Sequence, residues 1–167
     1  MRQPTLRHLA RYSVVAVLLA GCAGPSYQPD LQGRPVATVR IASVHPAESR
    51  VAVLEGECVP FVRADWEKRS REIAVLKDSN SIYQKVPAGQ PLTLSFFTST
   101  TTVEKDLATD AVCAVAIRFS PESGAEYEAV FVGDSENCRM ELGRLLPQTG
   151  SGARTARVTG ATKLPDC

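Results

Sequence analysis

The side chains in this chain that can do chemistry are mostly thiols: Cys22, Cys58, Cys113, Cys138 and Cys167. A thiol can be acylated, oxidised to a disulfide, bound to a metal or used as a nucleophile. Metal binding has little to build on, because no two cysteines have C-x-x-C spacing and the only histidines are His8 and His45. Nucleophilic catalysis needs a base beside the nucleophile. His45 stands alone in a His45-Pro46 turn and reads as a solvated residue. Ser123 and Ser151 each precede a glycine in turn-like or tail-like sequence, unlike the elbow that exposes a catalytic serine. Glu55 with Glu57, and Glu126 with Glu128, are spaced to share a strand face. Paired carboxylates can do acid–base work, but a polar outer face explains them as well. No phosphate-binding or dinucleotide-binding glycine motif is present. The residues therefore predict no catalytic set, no cofactor and no metal.

Cys22 has a context of its own. Arg2, Arg7 and Arg11 precede an apolar run from Tyr12 to Ala20, which ends in Leu19-Ala20-Gly21-Cys22. A basic start, a short apolar middle and small residues at the cut make a secretory signal peptide. The run is about half the ~20 residues of a membrane-spanning helix, and Pro25 and Pro29 follow at once. The tetrad resembles the lipobox of bacterial lipoproteins. That resemblance implies cleavage before Cys22, a diacylated sulfur and an acylated new N-terminus. The partner it implies is a membrane, reached through a lipid anchor. Ala23, in place of an aspartate, fits the outer membrane's periplasmic face if the host is Gram-negative.

The resulting organisation is a signal peptide over 1–21, a lipidated tether over 22–35, a β-sandwich domain over 36–146 and a C-terminal tail over 147–167. The tether is rich in Gly, Pro and polar residues and reads as flexible. The 146 residues from Cys22 onward are enough for one domain with a real core. Residues 1–21 hold three of the 19 basic residues and none of the 18 acidic ones, so sixteen basic face eighteen acidic in the rest. That balance suggests neither nucleic-acid binding nor a polybasic grip on anionic lipid.

These thiols need elements to position them. Ala37, Val39 and Ile41 alternate with polar or small neighbours, and so do Val51 with Val53 and Leu92 with Leu94 and Phe96. Tyr83–Val86 reads as a short strand between them. Cys113, Val115, Ile117 and Phe119 share one face; Tyr127, Ala129 and Phe131 share another; Cys138, Met140 and Leu142 a third. His45–Ser49, Ser120–Gly124 and Gly133–Asn137 read as turns. Period-2 strands separated by turns predict an all-β fold, an antiparallel β-sandwich or a barrel, of which the sandwich is the expected architecture. Asp65–Lys77 is the one helix candidate, with Asp65 as cap, although Ile73–Leu76 suits an edge strand equally. The tail is predicted to lack order unless Cys167 ties it down.

Four cysteines in an exported domain read as two disulfides, with three pairings open. Cys113 opens one predicted strand and Cys138 the next but one, both facing the core. In a flat meander they would stand roughly 10 Å apart, beyond the ~7 Å limit for a disulfide. Their bond requires the third strand to fold over, as when a strand switches sheets, or Cys138 to sit in the incoming loop. That leaves Cys58 and Cys167, whose bond would pin the tail near Gly56.

Two charged regions carry the remaining binding candidates. Arg63, Lys68, Arg69 and Arg71, with Trp66 as an aromatic anchor, would suit an acidic envelope partner. The alternative is a solvated mixed-charge face with Trp66 in the core. Glu122, Glu126, Glu128, Asp134, Glu136 and Glu141 make the last third acidic.

Val86-Pro87-Ala88-Gly89-Gln90-Pro91-Leu92, then Cys113, Phe119-Ser120-Pro121-Glu122-Ser123-Gly124-Ala125-Glu126-Tyr127 and Cys138, is similar to a pattern in small uncharacterised proteobacterial lipoproteins. The resemblance spans residues 83–142. It implies an immunoglobulin-like or transthyretin-like sandwich and no known activity. The expected function is a non-enzymatic cell-envelope lipoprotein that binds an envelope protein or polymer through an edge strand or the 63–77 segment. The alternative is a periplasmic inhibitor or assembly factor for a cell-wall hydrolase or secretion apparatus. A carboxylate-based envelope hydrolase is a third reading, which requires Glu55, Glu57 or Asp65 to converge in a cleft. Nothing in the sequence sets the oligomeric state.

Overall fold

The structure, a computed structural model, describes residues 26–44, 47–77, 80–104, 107–133, 137–147 and 154–167. Cys22 with the whole lipobox, His45, Asp134, Glu136 and Ser151 lie outside them.

Two five-stranded sheets pack face to face. One contains β1 (Val36–Ser43), β4 (Ser81–Pro87), β7 (Glu126–Gly133), β8 (Cys138–Leu146) and β9 (Arg154–Arg157), in the order β4-β1-β7-β8-β9. The other contains β2 (Ser49–Leu54), β3 (Ser70–Leu76), β5 (Leu92–Glu104), β6 (Leu107–Phe119) and β10 (Thr162–Lys163), in the order β10-β6-β5-β2-β3. This is the all-β sandwich that the alternation predicts. One pairing departs from the antiparallel expectation: β1 runs parallel to β7. A parallel pair needs a long crossover, and five intervening strands supply it.

The core lies between the sheets. Val39 and Ile41 of β1 and Tyr127, Ala129 and Phe131 of β7 face Leu94, Phe96, Val115 and Phe119. Phe96 stacks on Phe131 across the gap with ring centroids 5.0 Å apart, and Phe119 meets Tyr127 at 5.3 Å. Offset aromatic pairs of this kind add to what area burial alone provides. The Tyr127 hydroxyl accepts the Glu122 backbone N–H at 2.9 Å, which fastens the turn between β6 and β7.

That turn is where the chain changes sheets, and it settles the geometry of the first cysteine pair. Cys113 in β6 and Cys138 in β8 face each other across the core at disulfide distance, with Cα atoms 5.9 Å apart. A correction concerns their places: Cys113 sits inside β6, which begins at Leu107. β5 likewise runs on to Glu104. The Thr-rich second half of β5 has high strand propensity but no apolar alternation to advertise it.

A second apolar cluster covers the outer face of the β2–β5–β6 sheet. Ala52, Leu54, Phe97, Ala114 and Ala116 are buried there beneath Val59, Trp66 and Leu164. The cover consists of α1 (Arg63–Lys68), the loop before it and the C-terminal segment. The helix is shorter than the candidate span, and its cap is Val62, with Asp65 in the first turn. Residues 70–76 form the edge strand instead.

Both ends of the domain also differ from expectation. The tail adds β9 beside β8 and β10 beside β6, so the sheets continue past residue 146. The condition set for order is met: Cys167 stands at disulfide distance from Cys58, with Cα atoms 5.1 Å apart. The tether ends early, because Ser26 forms a parallel bridge with Glu72 and the Tyr27 N–H donates to the Glu72 carbonyl at 2.7 Å.

Candidate functional site

The most constructed region outside the core is the clasp over the β2–β5–β6 sheet. Val59 N–H donates to the Pro165 carbonyl at 2.8 Å, and Cys167 N–H to the Val59 carbonyl at 3.0 Å. Leu164 N–H reaches Ala116 O at 3.0 Å, and the Cys58–Cys167 pair closes the end. Two arginines hold the loop that leads into it. Arg69 donates from Nε to the Glu55 carbonyl at 3.2 Å and from Nη2 to the Cys58 carbonyl at 3.1 Å. Its Nη1 lies 3.3 Å from Cys167 Sγ. Arg118 donates to Thr93 Oγ1 at 3.0 Å, to Glu57 Oε2 at 2.6 Å and to the Gly56 carbonyl. Gly56 has φ 115°, and a Cβ there would overlap the Arg69 guanidinium, so the turn requires glycine.

The predicted contact residues are brought to one side of the molecule but are largely engaged. Arg63 pairs with Glu67 at 2.8 Å, Lys68 with Asp65 at 3.2 Å and Arg71 with Glu55 at 2.8 Å. Arg69 belongs to the clasp. Trp66 as a surface anchor is corrected: it is 1% exposed, tilted against Phe97 at 5.3 Å, and donates from Nε1 to Ser95 Oγ at 2.8 Å. Ala52, Ala114 and Ala116 leave the sheet face flat enough for the indole to lie on it. Those alanines, alternating with core residues, were the sequence signal for a covered outer face.

The carboxylates do not converge. Glu55 pairs with Arg71, Glu57 with Arg118 and Asp65 with Lys68, each exposed and each with its own cation. Glu128 pairs with Arg40 on the other sheet. The acidic character of the last third is offset by Arg144 on Glu122 and Arg139 on Glu141. Among the described residues, no group of His, Cys, Asp and Glu is placed to hold a metal, and no helix is long and apolar enough to cross a membrane.

Among the described residues, two groups have displaced acidities. Burial pushes the Tyr27 phenol above its ordinary value, with Arg71 opposing. The side-chain hydrogen bond to Lys77 holds Glu48 below its ordinary value. Glu48 and Arg50 line an open depression with Arg63, Phe97, Thr98 and Ser99. A second open depression lies on the outer face of β7, β8 and β9, lined in part by Glu128, Glu141, Thr155 and Arg157.

The docking of Tyr27 is the feature that sequence reasoning missed. A lone aromatic in a polar linker was its signal. The outer strands are also on view: β4 bounds one sheet, and Tyr83 on it is 71% exposed.

The class these features define is a disulfide-clasped β-sandwich. Comparison with protein-family models, with curated proteins and with solved structures finds no match.

Proposed function

We propose that this chain is a non-enzymatic lipoprotein of the cell envelope, held at a membrane by acyl chains on Cys22 and serving as a binding or structural module. The observation that carries the reading is Leu19-Ala20-Gly21-Cys22, in register behind a basic start and an apolar run, four residues before Ser26, which bridges to Glu72 of the sandwich. The two cysteine pairs support an oxidising compartment, since such bonds persist outside the reducing cytosol. The scatter of Glu55, Glu57 and Asp65, each beside its own cation, gives acid–base catalysis no common cleft and so favours binding over hydrolysis. Binding falls most naturally to the edge strand β4, where Tyr83 offers an exposed ring beside an outer backbone edge.

The test of the anchor is Cys22→Ser. The variant loses incorporation of a labelled fatty acid and moves from the membrane to the soluble fraction. Unchanged labelling and unchanged fractionation end the reading. A photo-crosslinking residue at Tyr83 in intact cells then captures the bound envelope component; a crosslinker at Lys68 serves as the comparison.

A further inference from the structure

We infer that the domain stands on the bilayer with a defined side down, the partner of that side being a phospholipid surface. The inference rests on the acylated Cys22 of the proposed function and adds an orientation to it. Its basis is the direction and length of the chain at the docking point.

Ser26 pairs with Glu72 in the parallel sense. At Ser26 the chain therefore runs in the Ser70-to-Leu76 sense of β3. Four residue steps separate Cys22 from Ser26, a reach of at most about 14 Å. Glu72 itself lies two residues, roughly 7 Å, above the Ser70 end. The acyl chains leave from Cys22, so that end cannot be held far from the headgroups. Register carries the assignment across the molecule. β3 pairs Ser70 with Leu54, and Val53 faces Leu94, so the Glu55–Cys58 loop shares this pole with the start of β5. Leu92 faces Phe119, which adds the turn at residues 120–125. The Gly89 N–H donates to the Pro121 carbonyl at 2.7 Å and joins the β4–β5 loop to the same pole.

The side chains of this pole suit a neutral surface. Glu55 and Arg71, Glu57 and Arg118, and Glu122 and Arg144 neutralise one another in pairs. The pole neither repels headgroup phosphates nor requires anionic lipid. At the opposite pole, β5 and β6 continue as a paired ribbon from Ser99–Val112 to Glu104–Leu107, beyond the reach of β2. Six residue pairs span about 20 Å, and the orientation presents them away from the membrane.

The experiment measures energy transfer from a donor dye on the acylated mature protein to headgroup-labelled lipid in phosphatidylcholine vesicles. A click-reactive residue carries the dye at Ser123, in the exposed turn of the lower pole, or at Asn80, in the turn between β3 and β4 at the upper pole. The poles are separated by an eight-residue strand, about 27 Å. Transfer from Ser123 is expected to exceed that from Asn80 by roughly twofold or more, as that height difference dictates. Tyr27→Pro removes the N–H that donates to Glu72 and should erase the difference. A Gly-Ser insertion before Ser26 leaves docking intact and should lower transfer from Ser123. Equal transfer from the two sites, stronger transfer from Asn80, or a difference that survives Tyr27→Pro overturns the orientation. Coupling Cys22 of the mature chain to a maleimide lipid repeats the measurement without acylation. A failure of the lipoprotein reading, in which the cell leaves Cys22 unmodified, is thus separated from a failure of the orientation.

Discussion

Trp66 holds the clasp down through two separable contributions. Its ring fills the space over Ala52, Ala114 and Ala116, and its N–H satisfies Ser95. Trp66→Phe keeps most of the ring and strands the buried Ser95 hydroxyl, a loss of about 1–2 kcal/mol. Trp66→Ala removes both contributions and costs about 3–5 kcal/mol. Urea unfolding of the two variants, read by far-ultraviolet circular dichroism, checks the order and the gap. Equal midpoints for Trp66→Ala and wild type would return Trp66 to the surface role. The sequence left this residue open between anchor and core because its neighbours Asp65, Glu67 and Lys68 are all charged. A helix of six residues is too short for a periodic apolar stripe to declare itself. Tyr27 was harder to read for a different reason: its one mark is a lone aromatic in a polar linker, and the backbone pairing to Glu72 that helps fix it leaves no side-chain pattern. The core residues of β1 and β7 were legible because one buried and one outer face force alternation, and those of β6 because larger core-facing residues alternate with small alanines.

At the scale of elements, the two cysteine pairs cross-link different layers and should fail differently. Cys113–Cys138 ties the sheets together and closes a loop of 25 residues. Its removal by paired serine substitution should cost about 3 kcal/mol in the chain-entropy picture. Cys58–Cys167 closes 109 residues and ties the C-terminal cover to the loop before α1. The same picture gives about 4–5 kcal/mol, but the released cover can peel away while the sandwich persists. The expected result is a dye-binding native state for Cys58→Ser with Cys167→Ser, as Phe97 and Trp66 become accessible, and none for the Cys113 and Cys138 pair. Anilinonaphthalene sulfonate fluorescence below the unfolding transition distinguishes them. Identical dye binding by both would mean the clasp is not a separate unit. The strands that carry the inter-sheet pair were readable, and so was the need for a change of sheet. β9 and β10 were not, because strands of four and two residues, Arg-Thr-Ala-Arg and Thr-Lys, carry no apolar period. Only the terminal cysteine hinted that the tail is tied.

At the scale of the whole molecule, charge determines what besides the proposed acyl chains could hold the protein to a membrane. The chain from Cys22 onward has sixteen basic and eighteen acidic residues. Among the described residues, Arg40, Arg50, Arg63, Lys68, Arg71, Lys77, Arg118, Arg139 and Arg144 each have a carboxylate partner. With acidic residues in excess, the net charge supplies no attraction to an anionic surface across a Debye length of about 10 Å. A single acyl chain gives only marginal, reversible binding, whereas two or more make attachment lasting. Membrane retention should therefore follow the acyl chains alone. The lipidated protein should sediment with vesicles equally at low and at high salt, and with or without phosphatidylglycerol. The Cys22→Ser protein should stay in the supernatant under every one of these conditions. Sedimentation of that variant with phosphatidylglycerol vesicles at low salt, reversed by added salt, would reveal an electrostatic grip that the paired charges do not supply. Because a polybasic surface would bind in that way whichever residue carried the lipid, this outcome would also remove the reason for a neutral pole to face the bilayer.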